Sequence, residues 1–285
     1  MKSPNDYDHF APEWCPGCGN FDILVALKQA LYDLKIESNE LILVTGIGQA
    51  SKIGFTIKCN LFDGLHGRAL PAALGIRLAN HTAKVVSISG DGCFFAEGGN
   101  HFIHTMRRNA DITVLAGVNR VFGLTKGQAA PTSAHDYKTK IHLDGTGAEP
   151  LNVCRLALVA GATFIARGFS GEQTQLTELI KQALTHRGAA VIDIKSPCVS
   201  FNKINTYAWF KQRVQPLGED HDVTDWNAAM RAAEETEERI PTGVIYRVER
   251  PVFGDHLRAL QDGPIARRTT DFTPERVRPF FAQFK

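Results

Sequence analysis

The chain has 285 residues, 44% of them hydrophobic and 22% charged, with a formal net charge of +2. These values fit one large globular α/β domain or a domain with a tail, and they give no electrostatic argument for nucleic-acid binding. No apolar run is long enough to suggest a membrane span and MKSPNDYDHF has no apolar signal region, so a cytoplasmic location is expected, where the six cysteines are thiols or metal ligands rather than disulfides.

In chain order, APEWCPGCGN comes first and sets Cys15 and Cys18 around Pro16-Gly17. FDILVALKQALYDL (21–34) reads as an amphipathic helix, and LILVTGIG (41–48) as a buried strand running into the glycine turn Gly46-Ile47-Gly48. PAALGIRLAN (71–80) is helical, KVVSISGDG (84–92) and ITVLAGVN (112–119) are strands, and TFIARG (163–168) and AAVIDIKS (189–196) flank the helical GEQTQLTELIKQALTHR (171–187). Continuous apolar strands alternating with amphipathic helices predict an α/β fold, a mostly parallel sheet with helices on both faces. In such sheets ligands bind beyond the carboxyl ends of the strands, so the glycine-rich segments 46–48, 90–92 and 123–127 are expected to converge. From about residue 203 the periodicity fades, apart from a helix expected at 225–238. The expected organisation is a cofactor domain over 1–202 and an irregular extension over 203–285 that wraps the domain or a partner.

The densest chemistry lies between Gly90 and Gln128. Asp91 sits between Gly90 and Gly92 at one strand end, and Asn119 ends the next strand, one βαβ unit later. Adjacent strand ends can aim that carboxylate and amide at one point. Mg²⁺ takes oxygen ligands and shares them with substrate phosphates, so Asp91, Asn119 and the carbonyl near Val121 form a candidate Mg²⁺ site beside a diphosphate. The flanking glycines allow close backbone approach, and Gly123, Leu124 and Thr125 offer amides and a hydroxyl to the outer phosphate. His66, Gly67 and Arg68 precede a helix start, where an anion is favoured; a structural histidine in a capping turn is the alternative. Lys52 and Lys126 are candidate partners for an anionic substrate, Lys52 equally a solvated surface lysine. His101 and His104 share a helix face with no third ligand evident, which fits surface or packing histidines. Cys93 and Cys154 read as buried core residues. By spacing alone, Cys15 and Cys18 are half of a zinc site, ranked first, or a redox dithiol.

GDG followed by Asn at this spacing resembles the thiamine diphosphate motif. WCPGCG, TGIG, LHGRALPAALGIRLAN, EGGNHFIHTMRRN, VNRVFGLTKGQAAPTS and SPCVSFN together resemble the β subunit of the 2-oxoacid:ferredoxin oxidoreductases over about residues 12–255. Val118 departs from the family, many members of which carry Asp before the Asn. The resemblance implies thiamine diphosphate, Mg²⁺ and one [4Fe–4S] cluster, with His66 contacting cofactor or substrate. Cys15, Cys18 and Cys198 are then three cluster ligands. The family's usual fourth cysteine follows GIG, where this chain has Gln49, so Cys59 is expected to replace it. The implied reaction is CoA-dependent oxidative decarboxylation of a 2-oxoacid, reversible in principle, with electrons passed to ferredoxin. Lys52 and the surrounding segment point to 2-oxoglutarate, with pyruvate the alternative substrate. The resemblance also implies an α subunit that supplies the thiamine-activating Glu, in an (αβ)₂ assembly. A thiamine decarboxylase β chain with structural zinc is the alternative enzyme.

Overall fold

Strand-forming runs with a turn residue at each end account for the backbone frame. The structure, a computed structural model, describes residues 2–236, 238–269 and 272–284. Among them, eight strands form one sheet: β1 (Leu41–Thr45), β2 (Asn60–Asp63), β3 (Lys84–Gly90), β4 (Ile112–Val118), β5 (Phe164–Phe169), β6 (Ala189–Lys195), β7 (Val214–Pro216) and β8 (Ile240–Arg247). Their order is β2-β1-β3-β4-β6-β5-β8-β7. The pairs from β2 to β5 are parallel, whereas β8 runs antiparallel to β5 and carries β7 parallel beside it.

The helices are α1 (Gly19–Asp33), α2 (Ile53–Thr56), α3 (Ala69–Ala79), α4 (Gly99–Arg107), α5 (Val153–Ala160), α6 (Gln173–Thr185), α7 (Tyr207–Lys211), α8 (Trp226–Ala232) and α9 (Pro274–Ala282). Side chains alternate across the sheet, so each central strand serves two cores. Ile112, Val114 and Ala116 of β4 and Ala189 and Val191 of β6 pack under α3, α4, α5 and α8. Leu115, Ala190, Ile192 and Ile194 face the other way, onto α1 and α6. The expected α/β architecture is therefore present, with strand ends within a few residues of those read from the sequence.

The last third departs from the expectation. The helix expected at 225–238 stops at Ala232, capped at its start by the Asp225 carboxylate, which accepts from the Asn227 and Ala228 amides. Residues 214–216 and 240–247 then extend the sheet, so strands from both sides of residue 203 share one sheet. The shortening has a physical cause: Glu235 is drawn inward as the acceptor of three cations. Its carboxylate meets Arg120 Nη2 at 2.9 Å, Arg167 Nη2 at 3.0 Å and Lys195 Nζ at 2.8 Å. Arg167 is fully buried and also reaches Asp193 through Nε at 3.0 Å. Burial pushes the Glu235 carboxyl up, but Arg167, Lys195 and Arg120 overcome it and hold the group well below the usual carboxylate range.

Removing one member of a buried ion network leaves the others uncompensated. Glu235→Ala is expected to cost about 3–5 kcal/mol in denaturant unfolding; a loss below about 1 kcal/mol would detach the network from fold stability. Because the folded-state pKa is depressed, the Glu235 contribution is complete above the unfolded value of 4.5 and drains away as pH falls below it. The variant should therefore lose the part of the wild-type acid sensitivity that begins below about pH 4.5.

Candidate functional site

Parallel pairing of β3 and β4 puts Gly90 opposite Gly117, and so delivers Asp91 and Asn119 side by side at the carboxyl end of the sheet. Asp91 is 2% exposed. Its carboxylate accepts from the Gly92 amide at 2.9 Å, the Arg120 amide at 2.9 Å and the Thr132 hydroxyl at 2.5 Å. Burial pushes its carboxyl up to about 6, against those hydrogen bonds and the charge of Lys195. Among the described residues no cation touches it directly. A buried carboxylate with donors but no ion-pair partner fits a bound cation. Asn119 Oδ1 accepts from the Val121 amide at 3.0 Å, and its backbone carbonyl accepts from Asn202 Nδ2 at 3.0 Å. Arg120 takes a left-handed backbone, φ +59°, which turns the chain sharply between Asn119 and Val121. A Cβ at Gly92 would strike the Phe122 ring, so any larger residue there requires that ring to move.

The other sequence-predicted residues gather around this point to different degrees. Cys93 is buried and its Sγ accepts from the Gly67 amide at 3.3 Å, tying the 66–68 turn to the segment after Asp91. His66 Nδ1 lies 3.0 Å from the Glu97 carboxylate, and its ring centroid is 6.0 Å from that of Phe122. Arg68 immediately precedes α3 and meets the His101 ring at 3.0 Å. The turn Gly46-Ile47-Gly48 leads into a 3₁₀ turn, Ala50–Lys52, whose Ser51 hydroxyl shares a 2.6 Å hydrogen bond with Ser89 of β3. Lys52 is half-buried at the end of that turn. Residues 122–128 form a narrow loop closed by the Phe122 amide on the Gln128 carbonyl at 2.9 Å, carrying Gly123, Leu124, Thr125 and Lys126. In it the Thr125 hydroxyl is engaged with Gln128 Oε1 at 2.6 Å.

A second cluster adjoins the first. Cys15, Cys18 and Cys198 line one pocket together with Trp14, Gln49 and Asn119. Three segments distant in sequence are stitched there. The Gly19 amide donates to the Pro197 carbonyl at 3.2 Å, and Trp14 Nε1 donates to the Gln49 carbonyl at 2.9 Å. Gly19 leaves no room for a side chain, since a Cβ would lie 2.6 Å from Ser196 Oγ. Burial pushes the Cys18 thiol up to about 11, with the neighbouring Cys198 and Cys15 adding to the rise.

Cys59 does not join this pocket, which corrects the expectation that it replaces the residue at position 49. Because β2 is parallel to β1, the chain after Gln49 must return to the amino end of the sheet before β2 begins. Asn60 is level with Ile42, so Cys59 stands near the start of β1 while Gln49 follows its end, about 13 Å away along the strand at ~3.3 Å per residue. There it packs against the core on the α1 and α6 face of the sheet, and burial pushes its thiol up to about 11. Among the described residues, no three His, Cys, Asp or Glu side chains are grouped to hold a single metal ion. Thiolates of a four-iron cluster sit on separate irons and are spread more widely than ligands of one ion. Three thiols and an amide around one pocket therefore fit such a cluster at three corners, and not the four-thiolate set.

The sequence assigns no role to Thr132, Arg120, Asn202 or Glu97. Thr132 and Asn202 stand inside the APTS and SPCVSFN segments, so a signal is present there; the partners they take are not readable from spacing. A cavity of about 440 Å³, lined by Arg77, His81, Asp111 and Arg187, opens at the amino ends of the strands, away from these loops.

Two family profiles match consecutive parts of the chain. The C-terminal TPP-binding domain of thiamine pyrophosphate enzymes covers residues 47–194, and the C-terminal part of the pyruvate ferredoxin oxidoreductase β chain covers 198–262. The chain is 41% identical over 245 residues to 2-oxoacid:ferredoxin oxidoreductase 2, subunit beta, of Aeropyrum pernix, covering 86% of this chain and 77% of that one. It is 31% identical over 255 residues to the 2-oxoglutarate synthase subunit KorB of Methanocaldococcus jannaschii, covering 87% and 92%. A solved 2-oxoglutarate:ferredoxin oxidoreductase from Magnetococcus marinus, with 2-oxoglutarate, coenzyme A and succinyl-CoA bound, superposes with a TM-score of 0.91 at 34% identity over 99% of this chain and 96% of that one. With a thiamine-type strand-end site, a neighbouring cysteine pocket and relatives of this identity and coverage, the chain belongs to the β subunits of the 2-oxoacid:ferredoxin oxidoreductases, enzymes of the 2-oxoglutarate synthase type.

Proposed function

We propose that this chain, joined to its α partner, catalyses CoA-dependent oxidative decarboxylation of 2-oxoglutarate to succinyl-CoA and CO₂, with ferredoxin as electron acceptor. The observation that carries this reading is the meeting of both clusters at Gly123, where a Cβ would lie 3.6 Å from Cys198 Sγ and 3.8 Å from Asn119 Nδ2. A diphosphate-cofactor site and a thiol pocket so close together suit coupled two-electron and one-electron chemistry. The Magnetococcus marinus enzyme, which holds 2-oxoglutarate, coenzyme A and succinyl-CoA, supports the substrate and products.

When bound, thiamine diphosphate supplies the carbanion and electron sink for loss of CO₂, and an iron–sulfur cluster supplies one-electron acceptance. The residues of this chain bind and orient. Asp91, Asn119 Oδ1 and the Val121 carbonyl are the Mg²⁺ ligands in this reading. Gly90, Gly92 and the 46–48 turn would let backbone approach the cofactor closely, and Gly123, Leu124 and Thr125 would offer donors to the outer phosphate. His66 is held against Glu97 and, with Gly67 and Arg68, lines the cofactor or substrate side. Lys52 pairs with the distal carboxylate of the substrate, and Lys126 is the second cation of the entrance. Cys15, Cys18 and Cys198 hold the cluster. The α subunit supplies the thiamine-activating Glu, in an (αβ)₂ assembly that also works in the reductive direction with a strong enough reductant.

Two measurements on the co-expressed αβ enzyme test this. Asp91→Asn keeps the shape of the site but removes the charge that balances Mg²⁺. It should purify with little thiamine diphosphate and lose at least about 100-fold in kcat/KM, a loss of ~2.7 kcal/mol in transition-state stabilisation. Full cofactor content in the variant would remove Asp91 from the metal site. A panel of 2-oxoacids should show preference for 2-oxoglutarate, and Lys52→Ala should raise KM for 2-oxoglutarate about tenfold while leaving pyruvate nearly unchanged. A wild-type preference for pyruvate, or equal effects on both substrates, would sink the assignment of Lys52.

A further inference from the structure

We infer that Gln49 occupies the fourth corner of the iron–sulfur cluster, its side-chain oxygen facing the one iron that no cysteine reaches. This rests on the reading above, in which Cys15, Cys18 and Cys198 bind the cluster. Gln49 lines the same pocket as those three thiols. Its Cγ lies 3.9 Å from the point where Gly123 would carry a Cβ, the same point that lies 3.6 Å from Cys198 Sγ. Its Oε1 is buried and has no hydrogen-bond partner among the described residues. Buried amide oxygens are ordinarily paired, so an orphan on a residue that lines the same pocket as three thiols is an acceptor in want of a donor or a metal. The backbone at this position is fixed from two sides, because the Gln49 carbonyl accepts from Trp14 Nε1 at 2.9 Å and from the Lys52 amide at 3.3 Å.

No other thiol competes for the corner. Cys59 stands at the amino end of β1. The Cys93 sulfur is engaged by the Gly67 amide, and Cys154 is buried in α5, 3.8 Å from Asp193 Oδ2. A neutral amide oxygen in place of a thiolate has two chemical consequences. The cluster is one charge less negative, which raises its reduction potential. Its unique iron is held by a weak oxygen donor rather than by a soft thiolate, so it is the first iron lost on oxidation.

The test uses the αβ enzyme purified without oxygen, as wild type and as Gln49→Cys, Gln49→Ala and Cys59→Ala, with thiamine content as the check that each variant is folded. The readouts are iron and acid-labile sulfide, electron paramagnetic resonance and a potentiometric titration. Wild type should carry about four irons and four sulfides per β chain. Ferricyanide should take one electron and release one Fe²⁺ from the oxidised four-iron form, leaving a three-iron cluster with its own paramagnetic signal that added Fe²⁺ and a reductant reverse. Gln49→Cys should keep four irons, resist this conversion and titrate at a lower potential. Gln49→Ala should convert at least about tenfold faster than wild type, and Cys59→Ala should match wild type. A four-iron cluster that is lost in Cys59→Ala, or that is unaltered in potential and conversion in Gln49→Cys, overturns the role of Gln49 while leaving the cluster in place. Wild-type αβ enzyme with no iron or sulfide on the β chain overturns the cluster reading itself.

Discussion

The hydrogen bond from the Arg120 amide to the Asp91 carboxylate is the constraint on which the site depends. It joins the ends of two neighbouring parallel strands, and it forms only because Gly90 and Gly117 are in register beneath it. A shift of one residue in that pairing would point Asp91 at the opposite face. The left-handed turn at Arg120 then presents Asn119 and Val121 on the same side as the carboxylate. The cost of burying Asp91 shows in the upward push on its carboxyl, and a buried carboxylate with no ion-pair partner among the described residues fits a cation better than it fits a plain turn.

Arg120 also faces the other way. Its guanidinium meets Glu235 and lies 5.2 Å from the Trp209 ring centroid, so residues well beyond the cofactor strands brace the turn from outside. Asn202 adds a second brace through the Asn119 carbonyl. Buried ion networks of this kind contribute little net stability compared with apolar packing, but they are unforgiving of geometry. Here the geometry being enforced is that of the loop that sets Asn119 and Val121 beside Asp91.

Much of this is legible in the sequence. Strands of the parallel sheet are readable wherever they are long, apolar and bounded by glycine, as β1, β3, β4, β5 and β6 are, since a strand covered on both faces needs little else. The Asp91–Asn119 pairing is readable because a βαβ unit fixes both the spacing and the direction of its strand ends. The meeting of Cys15, Cys18 and Cys198 follows from the resemblance and not from spacing, and only the folded chain shows Pro197 docking on Gly19. Three features are out of reach. β8 carries Pro241 and Gly243 and packs at the antiparallel side of the sheet, so its periodicity is weak. Glu235 reads as one acidic residue in the run EETEER, and nothing local marks it as the one that turns inward. Cys59 shares a loop with Gln49 in sequence but not a place in space, because a parallel crossover carries its end to the far side of the sheet.

The late position of Glu235 sets the order in which the molecule can be completed. Arg120, Arg167 and Lys195 all leave the ribosome before the carboxylate that gathers them, and until it arrives Asp193 is the sole acidic partner contacting Arg167 and Lys195 among the described residues of that core. Strand β8, which follows directly, then closes against β5. The cofactor half of the chain is thus synthesised as an unfinished socket, and its last third is the key that locks it. Chains interrupted before residue 235 would expose buried cations and an open sheet edge, both features that favour aggregation and recognition by quality control.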